Sequence, residues 1–342
     1  VQEARRVVLK RLMRVDAHDA EATEFIAMQM RMRNVDVRQP VNDALLKRLQ
    51  PVTAADVEAD ETWRFAPVGV LAHVERDAVN YRQVREFAKT FGLPLVRWRL
   101  HMKTEVRDAT LRDDVYADEP NLYHYFVEGA PVMLTDNIRS TRKLVNGSRA
   151  LLDSLSFAGD EVPAELADAI SAGGFCEVEL DNPPLAVNVR VGGTKDSPVL
   201  WHGAPLDDLS QLVESVVPGA QVVPIIERSK HGDSVKLHGL VAANAGLDGE
   251  VGIKAHHHYT LAFGLTDFKV QGMTLPKLII NICHRSPPCL MTLCSLYVLI
   301  SRCRTLSSLR VLHRDEAELS AMCDLPLSLL APPPFASLPP LA

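Results

Sequence analysis

Apolar residues recur at spacings of three and four in AEATEFIAMQM and again in NDALLKRLQ, which predicts helix over most of residues 1–50. VTAADVEAD (52–60) places Thr53 as an N-cap before an acid-rich first turn, the charge a helix N-terminus prefers. FAPVGVLAHV (65–74) is β-branched and apolar and is bounded by Pro67, so it predicts a buried strand. ERDAVNYRQVREFAKTFG follows with Val79, Val84, Phe87, Ala88 and Phe91 on one helical stripe, and Gly92 ends the helix. LPLVRWRLHM (93–102) alternates in part and predicts a second strand. Strand, helix, strand in that order is a signature of α/β architecture.

Near residue 120 the pattern changes. GAPVMLTDNI (129–138) and KLVNGSRALLDSLSF (143–157, with an Asn-Gly turn) are short apolar runs. CEVEL, LAVNVRV and QVVPII come next, separated by Pro, Gly and Asp clusters, and the spacing predicts a small β-rich barrel between about 120 and 258. Strand–helix character returns after Tyr259, with LPKLIINI as a buried strand. Two strings here, LAFGLTDFKVQGMTL (261–275) and YVLISRCR (297–304), are strand-like apolar runs that break into polar and glycine residues. The overlapping run CLMTLCSLYVLI has only 12 residues, too few to span a bilayer, and suits a buried strand or a core helix. The tail DLPLSLLAPPPFASLPPLA (324–342) is Pro/Leu/Ala-rich and is expected to be disordered or loosely docked. The boundaries that result are 1–118, 119–258, 259–318 and 319–342.

Composition is that of a globular protein with room for two or three domains in 342 residues. The net charge of −6 argues against a nucleic-acid partner until its distribution is considered. Residues 151–250 hold 16 acids and 5 bases, net −11, whereas residues 251–314 hold 8 bases and one acid, Asp267, net +7. A basic face on the last segment attracts phosphates through Coulomb attraction and counterion release. The six cysteines form no C-x-x-C pair and no secretory signal precedes them, so a reduced intracellular compartment and no membrane are expected. The chain opens on Val rather than Met, which suggests a fragment or a truncated gene.

Candidate chemistry concentrates in the two late strings. A strand ending in Ser301-Arg302 would aim a guanidinium off a sheet edge, where its planar fork suits phosphate oxygens. The plainer reading is a sheet-edge arginine with a carboxylate partner. Thr266, Lys269, Gln271 and Gly272 fall on a predicted strand-to-helix turn, where exposed backbone N–H groups suit an anion. The pair TDFKVQGMTL and YVLISRCR resembles T-x-H-K-x-Q-G-x-T-L and Y-V-A-L-S-R-x-R, the last two motifs of the Pif/RecD-like group of superfamily 1B DNA helicases. Phe268 stands where that group usually has His, which replaces a phosphate donor by packing or base stacking. GAPVMLTDNI…LVNGSRALL resembles the segment that opens the group's SH3-like insertion, with Asn137, Asn146, Gly147 and Arg149 matching and Ala150 in place of a closing Gly. FIAMQMRMRNVD resembles a helix ending in Q-M-R that supplies a phosphate-facing arginine. Arg31 fits that string and Arg33 fits the spacing to Asp36. Arg76 and Asn80 match a further stretch loosely.

The resemblance implies a second RecA-like α/β domain interrupted by an SH3-like β-barrel, within an ATP-dependent enzyme that moves 5′→3′ on single-stranded DNA. That activity serves repair, recombination and telomere or mitochondrial DNA maintenance, in the nucleus or mitochondrion of a eukaryote. It assigns γ-phosphate sensing to Arg302, with Arg31 beside it, and nucleotide proximity to Gly272, Gln271, Arg33 and Arg304. DNA contact falls to Thr266, Phe268, Lys269, Asn137, Asn146 and Arg149. ATP and Mg²⁺ are implied for the complete enzyme, but no G-x-x-x-x-G-K-[ST] string and no strand ending in paired acids occurs in these 342 residues. The chain by itself is therefore expected to bind neither, its partner being a RecA-like domain not in this sequence. A non-catalytic nucleic-acid-binding module, or a helicase remnant from a mobile element, is the alternative. Other constellations carry less. Neighbours among His256, His257 and His258 alternate across a strand, which disfavours joint chelation, with His238 and His284 further off. Cys283, Cys289, Cys294 and Cys303 are irregularly spaced for zinc, and no G-x-S-x-G elbow is present.

Overall fold

The computed structural model describes residues 20–33, 48–138, 144–191, 221–247, 249–283 and 291–314. In chain order the helices are α1 (Ala20–Arg33), α2 (Ala54–Ala59), α3 (His73–Phe91), α4 (Ala109–Asp118), α5 (Ala164–Ala172), α6 (Leu240–Asn244), α7 (Asp267–Val270) and α8 (Leu293–Ile300). The early strands are β1 (Val68–Val70), β2 (Pro94–Arg99), β3 (Tyr123–Phe126), β4 (Pro131–Leu134), β5 (Arg149–Ser156), β6 (Cys176–Leu180) and β7 (Ala186–Val191). The later ones are β8 (Gln221–Ile226), β9 (Ser234–Lys236), β10 (Glu250–Gly252), β11 (Tyr259–Leu261), β12 (Gly264–Thr266), β13 (Leu278–Ile282) and β14 (Leu309–Arg314). They assemble into two compact units. One takes the described residues up to Ala59, Val68–Ala72, and those from Leu265 onward; the other takes Asp60–Pro67 and His73–Gly264.

The first unit is a sheet in the order β12-β1-β13-β14, with β13 parallel to both β1 and β14. Parallel neighbours far apart in sequence require crossovers, as an α/β fold does. Residues 50–52 run beside β14, where the Val52 N–H donates to Val311 O at 2.9 Å and the Val311 N–H donates to Gln50 O at 2.9 Å. α1 buries Ala22, Phe25, Met28 and Met32, a helical stripe, and packs on α8. α2 opens as predicted: the Asp56 N–H donates to Thr53 Oγ1 at 3.2 Å while Asp56 Oδ2 accepts from the Thr53 N–H at 2.9 Å, a reciprocal capping arrangement. The helix expected over NDALLKRLQ falls largely outside the described residues, as does the tail from 315.

The apolar run before Ser301 is helical rather than extended, which corrects the expectation for residues 297–300. Thr292 Oγ1 accepts the Ser295 N–H at 3.0 Å, and Leu296, Leu299 and Ile300 are buried at helical spacing. Gly69 explains how α8 settles on the sheet, because a Cβ there would stand 2.7 Å from Leu299 Cδ2.

In the second unit α3 carries the expected stripe, with Val84, Phe87 and Ala88 fully buried. It ends at Gly92 with φ +62°, a left-handed conformation that glycine adopts without a Cβ clash. Phe87 meets Phe65, Phe91 and Phe263 at ring separations of 5.0, 4.6 and 5.7 Å. β2 is antiparallel to β3 and parallel to β6. The β-rich stretch forms a sheet in the order β11-β4-β5-β7-β8, antiparallel throughout, and a separate ribbon β10-β9. Pro224 lies in β8, at the end of that row, where a missing N–H is tolerated.

Candidate nucleic-acid interface

In the first unit the chain leaves β12 and enters the single turn of α7. Thr266 is buried and precedes the helix without making a side-chain cap bond. Asp267 is also buried, and its Oδ1 accepts the Phe268 N–H at 2.8 Å. The turn closes with the Gln271 N–H on Phe268 O at 3.3 Å and the Met273 N–H on Val270 O at 3.0 Å. Gly272, φ +78°, sits in open space, with nothing within 4 Å of where a Cβ would stand.

This geometry alters the expected anion cradle. The N–H groups of Phe268, Gln271 and Met273 are spent inside the turn, and the first of them is held by a carboxylate. What the turn offers outward is side chains. Phe268 is 77% exposed, Gln271 and Gly272 are exposed, and Lys269 is half-buried beside them. An aromatic ring of that exposure packs little against the protein, so Phe268 leaves a bare π-face at the surface.

Arg302 does not project from a sheet edge, which again corrects the expectation, because Ser301 and Arg302 follow the C-terminus of a helix. Its side chain folds back along α8. Nε donates to Val298 O at 2.7 Å, Nη2 to Ser301 Oγ at 2.5 Å and Nη1 to Val270 O at 3.4 Å. The Leu275 N–H in turn donates to Arg302 O at 2.9 Å. The guanidinium thus caps the Val298 carbonyl in the last turn of α8 and reaches the last residue of α7, so the two late sequence strings are joined by one side chain. Arg304, two residues on, is exposed. Arg31 and Arg33 lie in the last turn of α1, and their side chains are outside the described residues.

The second unit holds the remaining candidates on the β4–β5 connection. Asn137 Oδ1 accepts the Asn146 N–H at 3.0 Å, and both residues are exposed. The Gly147 N–H donates to Leu134 O at 2.8 Å, with φ +89°, and the Val145 N–H donates to Ser148 Oγ at 3.0 Å. Arg149 starts β5 and is exposed. Ala150, where the resembled segment has Gly, is buried in β5 opposite Val132; the left-handed residue the turn needs is Gly147. Asn80 is structural. Its Nδ2 donates to Leu261 O at 3.0 Å and its Oδ1 accepts the Gly264 N–H at 2.7 Å, holding the chain between β11 and β12. Arg76 pairs with Asp77 at 2.6 Å.

Sequence reasoning passed over Asp267 and Ser301. The signal for Asp267 was its position as the one acid in a basic segment, and for Ser301 its place next to the motif arginine.

No family model and no curated protein matches the chain. Among solved structures it is similar to the Pif1 helicase of Candida albicans (16% identity, 87% of this chain and 55% of that one, TM-score 0.45). It is also similar to Bacteroides Pif1 bound to single-stranded DNA (17%, 90% and 52%, TM-score 0.43) and to the Bacteroides enzyme in complex with ADP-AlF3 and single-stranded DNA (16%, 90% and 52%, TM-score 0.42). The chain spans about half the length of these solved chains.

Proposed function

We propose that this chain is part of an ATP-dependent 5′→3′ DNA helicase of the Pif/RecD-like group, and that its own contribution is the grip on single-stranded DNA. One observation carries the reading: the two strings that resemble adjacent helicase motifs meet through Arg302, on an α7 turn that presents Phe268, Lys269 and Gln271 outward. In this reading Phe268 stacks on a base, and Lys269 and Gln271 hold the backbone on either side. Thr266 is buried and acts through the turn rather than by contact. Asn137, Asn146 and Arg149 add contacts from the β-rich insertion, whose SH3-like character belongs to the same reading. Arg302 rigidifies the junction in this chain; γ-phosphate sensing by it or by Arg31 and Arg33, with Mg²⁺-ATP held elsewhere, is a property of the complete enzyme. Repair, recombination or telomere roles follow only with that enzyme.

The alternative, a non-catalytic nucleic-acid-binding module, draws on the guanidinium of Arg302 being committed to main-chain carbonyls and on a sequence without G-x-x-x-x-G-K-[ST]. Fluorescence anisotropy with labelled oligothymidylate tests the part both readings share. Stacking contributes roughly 1–3 kcal/mol per base, so Phe268→Ala is expected to weaken binding about tenfold. Equal affinity in wild type and variant would remove Phe268 from the interface. DNA-stimulated ATPase separates the two readings: none is expected from this chain, and turnover that appears only on joining it to a nucleotide-binding RecA-like domain favours the helicase.

A further inference from the structure

The second unit contains a cluster that the DNA-binding reading does not use. His256 Nδ1 and His258 Nε2 stand 3.8 and 3.9 Å from the same oxygen, Asp233 Oδ2, and the three atoms all lie within 4.8 Å of one another. Neighbouring residues on an extended segment face opposite ways, but residues two apart face the same way, and H-x-H places these two imidazoles together while His257 turns to Trp98. The ring centroids of His256 and His258 are 4.3 Å apart.

Each ligand is held by its own support. The antiparallel bridge between Arg228 and His256 fixes the first imidazole through N–H···O bonds of 3.0 and 2.9 Å. The Thr135 N–H donates to His258 O at 3.0 Å. Asp233 Oδ2 accepts the Lys230 N–H at 2.8 Å, which orients the carboxylate, and Gly232 supplies the left-handed turn before it at φ +84°.

Two facts indicate that something binds between these groups. His258 is 2% exposed and its Nε2 has no hydrogen-bond partner, a buried polar atom that costs about 1–3 kcal/mol if left so. Separations of 3.8 and 3.9 Å are too long for hydrogen bonds, and the only other contact of His256 Nδ1 among the described residues is a long one of 3.4 Å to Lys254 O, which an ion would displace. The cations nearby are already paired: Arg228 and Lys230 reach Asp136 at 3.2 and 2.8 Å. Ligand atoms on a tetrahedral ion with bonds of about 2.0–2.1 Å sit about 3.3 Å apart, so an ion would draw each imidazole toward the carboxylate by roughly half an ångström and the two imidazoles toward each other by up to about 1.5 Å. Asp233 and His256 keep 13% and 16% of their side-chain surface, which leaves a path from solvent.

We propose that Asp233, His256 and His258 form a divalent transition-metal site of the zinc class that ties the 228–234 segment to 256–258. Two imidazoles and one carboxylate are a borderline donor set, suited to Zn²⁺ or Co²⁺ rather than Ca²⁺ or Mg²⁺, with a fourth position left for water.

The test is titration of the chelator-stripped full chain with Co²⁺ followed by visible absorbance, then competition by Zn²⁺. One equivalent of Co²⁺ is expected, with the d–d bands of a nitrogen and oxygen site and no thiolate-to-cobalt charge-transfer band. His256→Gln, at a partly exposed position, is expected to keep the circular dichroism of the wild type and to lose more than tenfold in Zn²⁺ affinity. Asp233→Asn is expected to do the same, and if it fails to fold, His256→Gln alone decides. Unchanged affinity in His256→Gln, absence of saturable binding, or a sulfur charge-transfer band pointing to the cysteines would each overturn the proposal.

Discussion

At the residue scale the first unit depends on two arginine–acceptor pairs that do different jobs. Arg302 is buried and donates to the carbonyls of Val298 and Val270, near the ends of α8 and α7, which also accept from Ser301 Oγ and the Met273 N–H. Removing the guanidinium leaves those acceptors without a charged donor, so Arg302→Gln is expected to lower stability by about 2–3 kcal/mol in urea unfolding followed by circular dichroism. Phe268→Ala, at a side chain with little to lose from packing, should stay within about 0.5 kcal/mol of wild type in the same measurement, which separates a folding role from a binding role. Arg310 is half-buried, its Nη2 2.9 Å from Asp56 Oδ1. Hydrogen bonds from Arg310 and then Thr53 hold the Asp56 carboxyl at about 2, below its ordinary 3.8. A depressed carboxylate stabilises the fold above the unfolded pKa, and that stabilisation disappears as pH falls from about 4 through about 2. The pair is solvent-screened, so about 1 kcal/mol is the expected size, and Asp56→Asn should flatten the pH dependence of unfolding across that window.

At the scale of elements, close approaches decide what fits. Gly264 begins β12, and a Cβ there would stand 2.9 Å from Arg76 O and 3.1 Å from Val79 Cβ, a backbone atom and the stem of a helical residue that cannot step aside. Gly264→Ala is therefore expected to cost about 1–3 kcal/mol, read as a lower urea midpoint, and to disturb the Asn80 clamp on the Gly264 N–H. This close approach was not visible in the sequence, because it depends on α3 lying against the 261–264 segment. Elements with one dominant period were legible: α3 from its stripe and terminal Gly92, β1 and β13 from apolar, β-branched runs, and β2 from its partial alternation. α4 was missed, since within it only Val115 and Tyr116 are buried and little periodicity is left to see. The 297–300 run stayed open between strand and core helix because nearly continuous apolar residues satisfy both periods alike; Thr292 as cap and the space above Gly69 select the helix. At the site, the departure at Phe268 was visible, but its exposure was not, since that follows from the α7 turn aiming the ring away from a buried Asp267 and Val270. The H-x-H spacing was in the sequence too, but its carboxylate lies 23 residues before His256, and only the fold brings it alongside.

At the scale of the whole molecule, a net charge of −6 hides opposed segments, −11 over 151–250 and +7 over 251–314. A chain of that overall sign repels DNA at long range, so the proposed binding would have to come from a local basic surface backed by contacts that do not depend on charge. The two contributions separate in their salt dependence. Each phosphate neutralised on a single strand adds about 0.7 to the magnitude of the slope of log affinity against log salt, whereas stacking adds almost nothing. Lys269 and Arg304 are the bases that flank the Phe268 turn and the α8 terminus, and the double variant Lys269→Gln/Arg304→Gln is expected to shallow the slope by about 1.4. Phe268→Ala should lower affinity about tenfold at every salt concentration and leave the slope where it was. Anisotropy titrations of labelled oligothymidylate across a salt series read both quantities at once. A double variant with the wild-type slope would place the phosphate contacts elsewhere in the +7 segment, and a Phe268→Ala slope that changes with the charges would mean that the ring orders the basic side chains rather than stacking on a base.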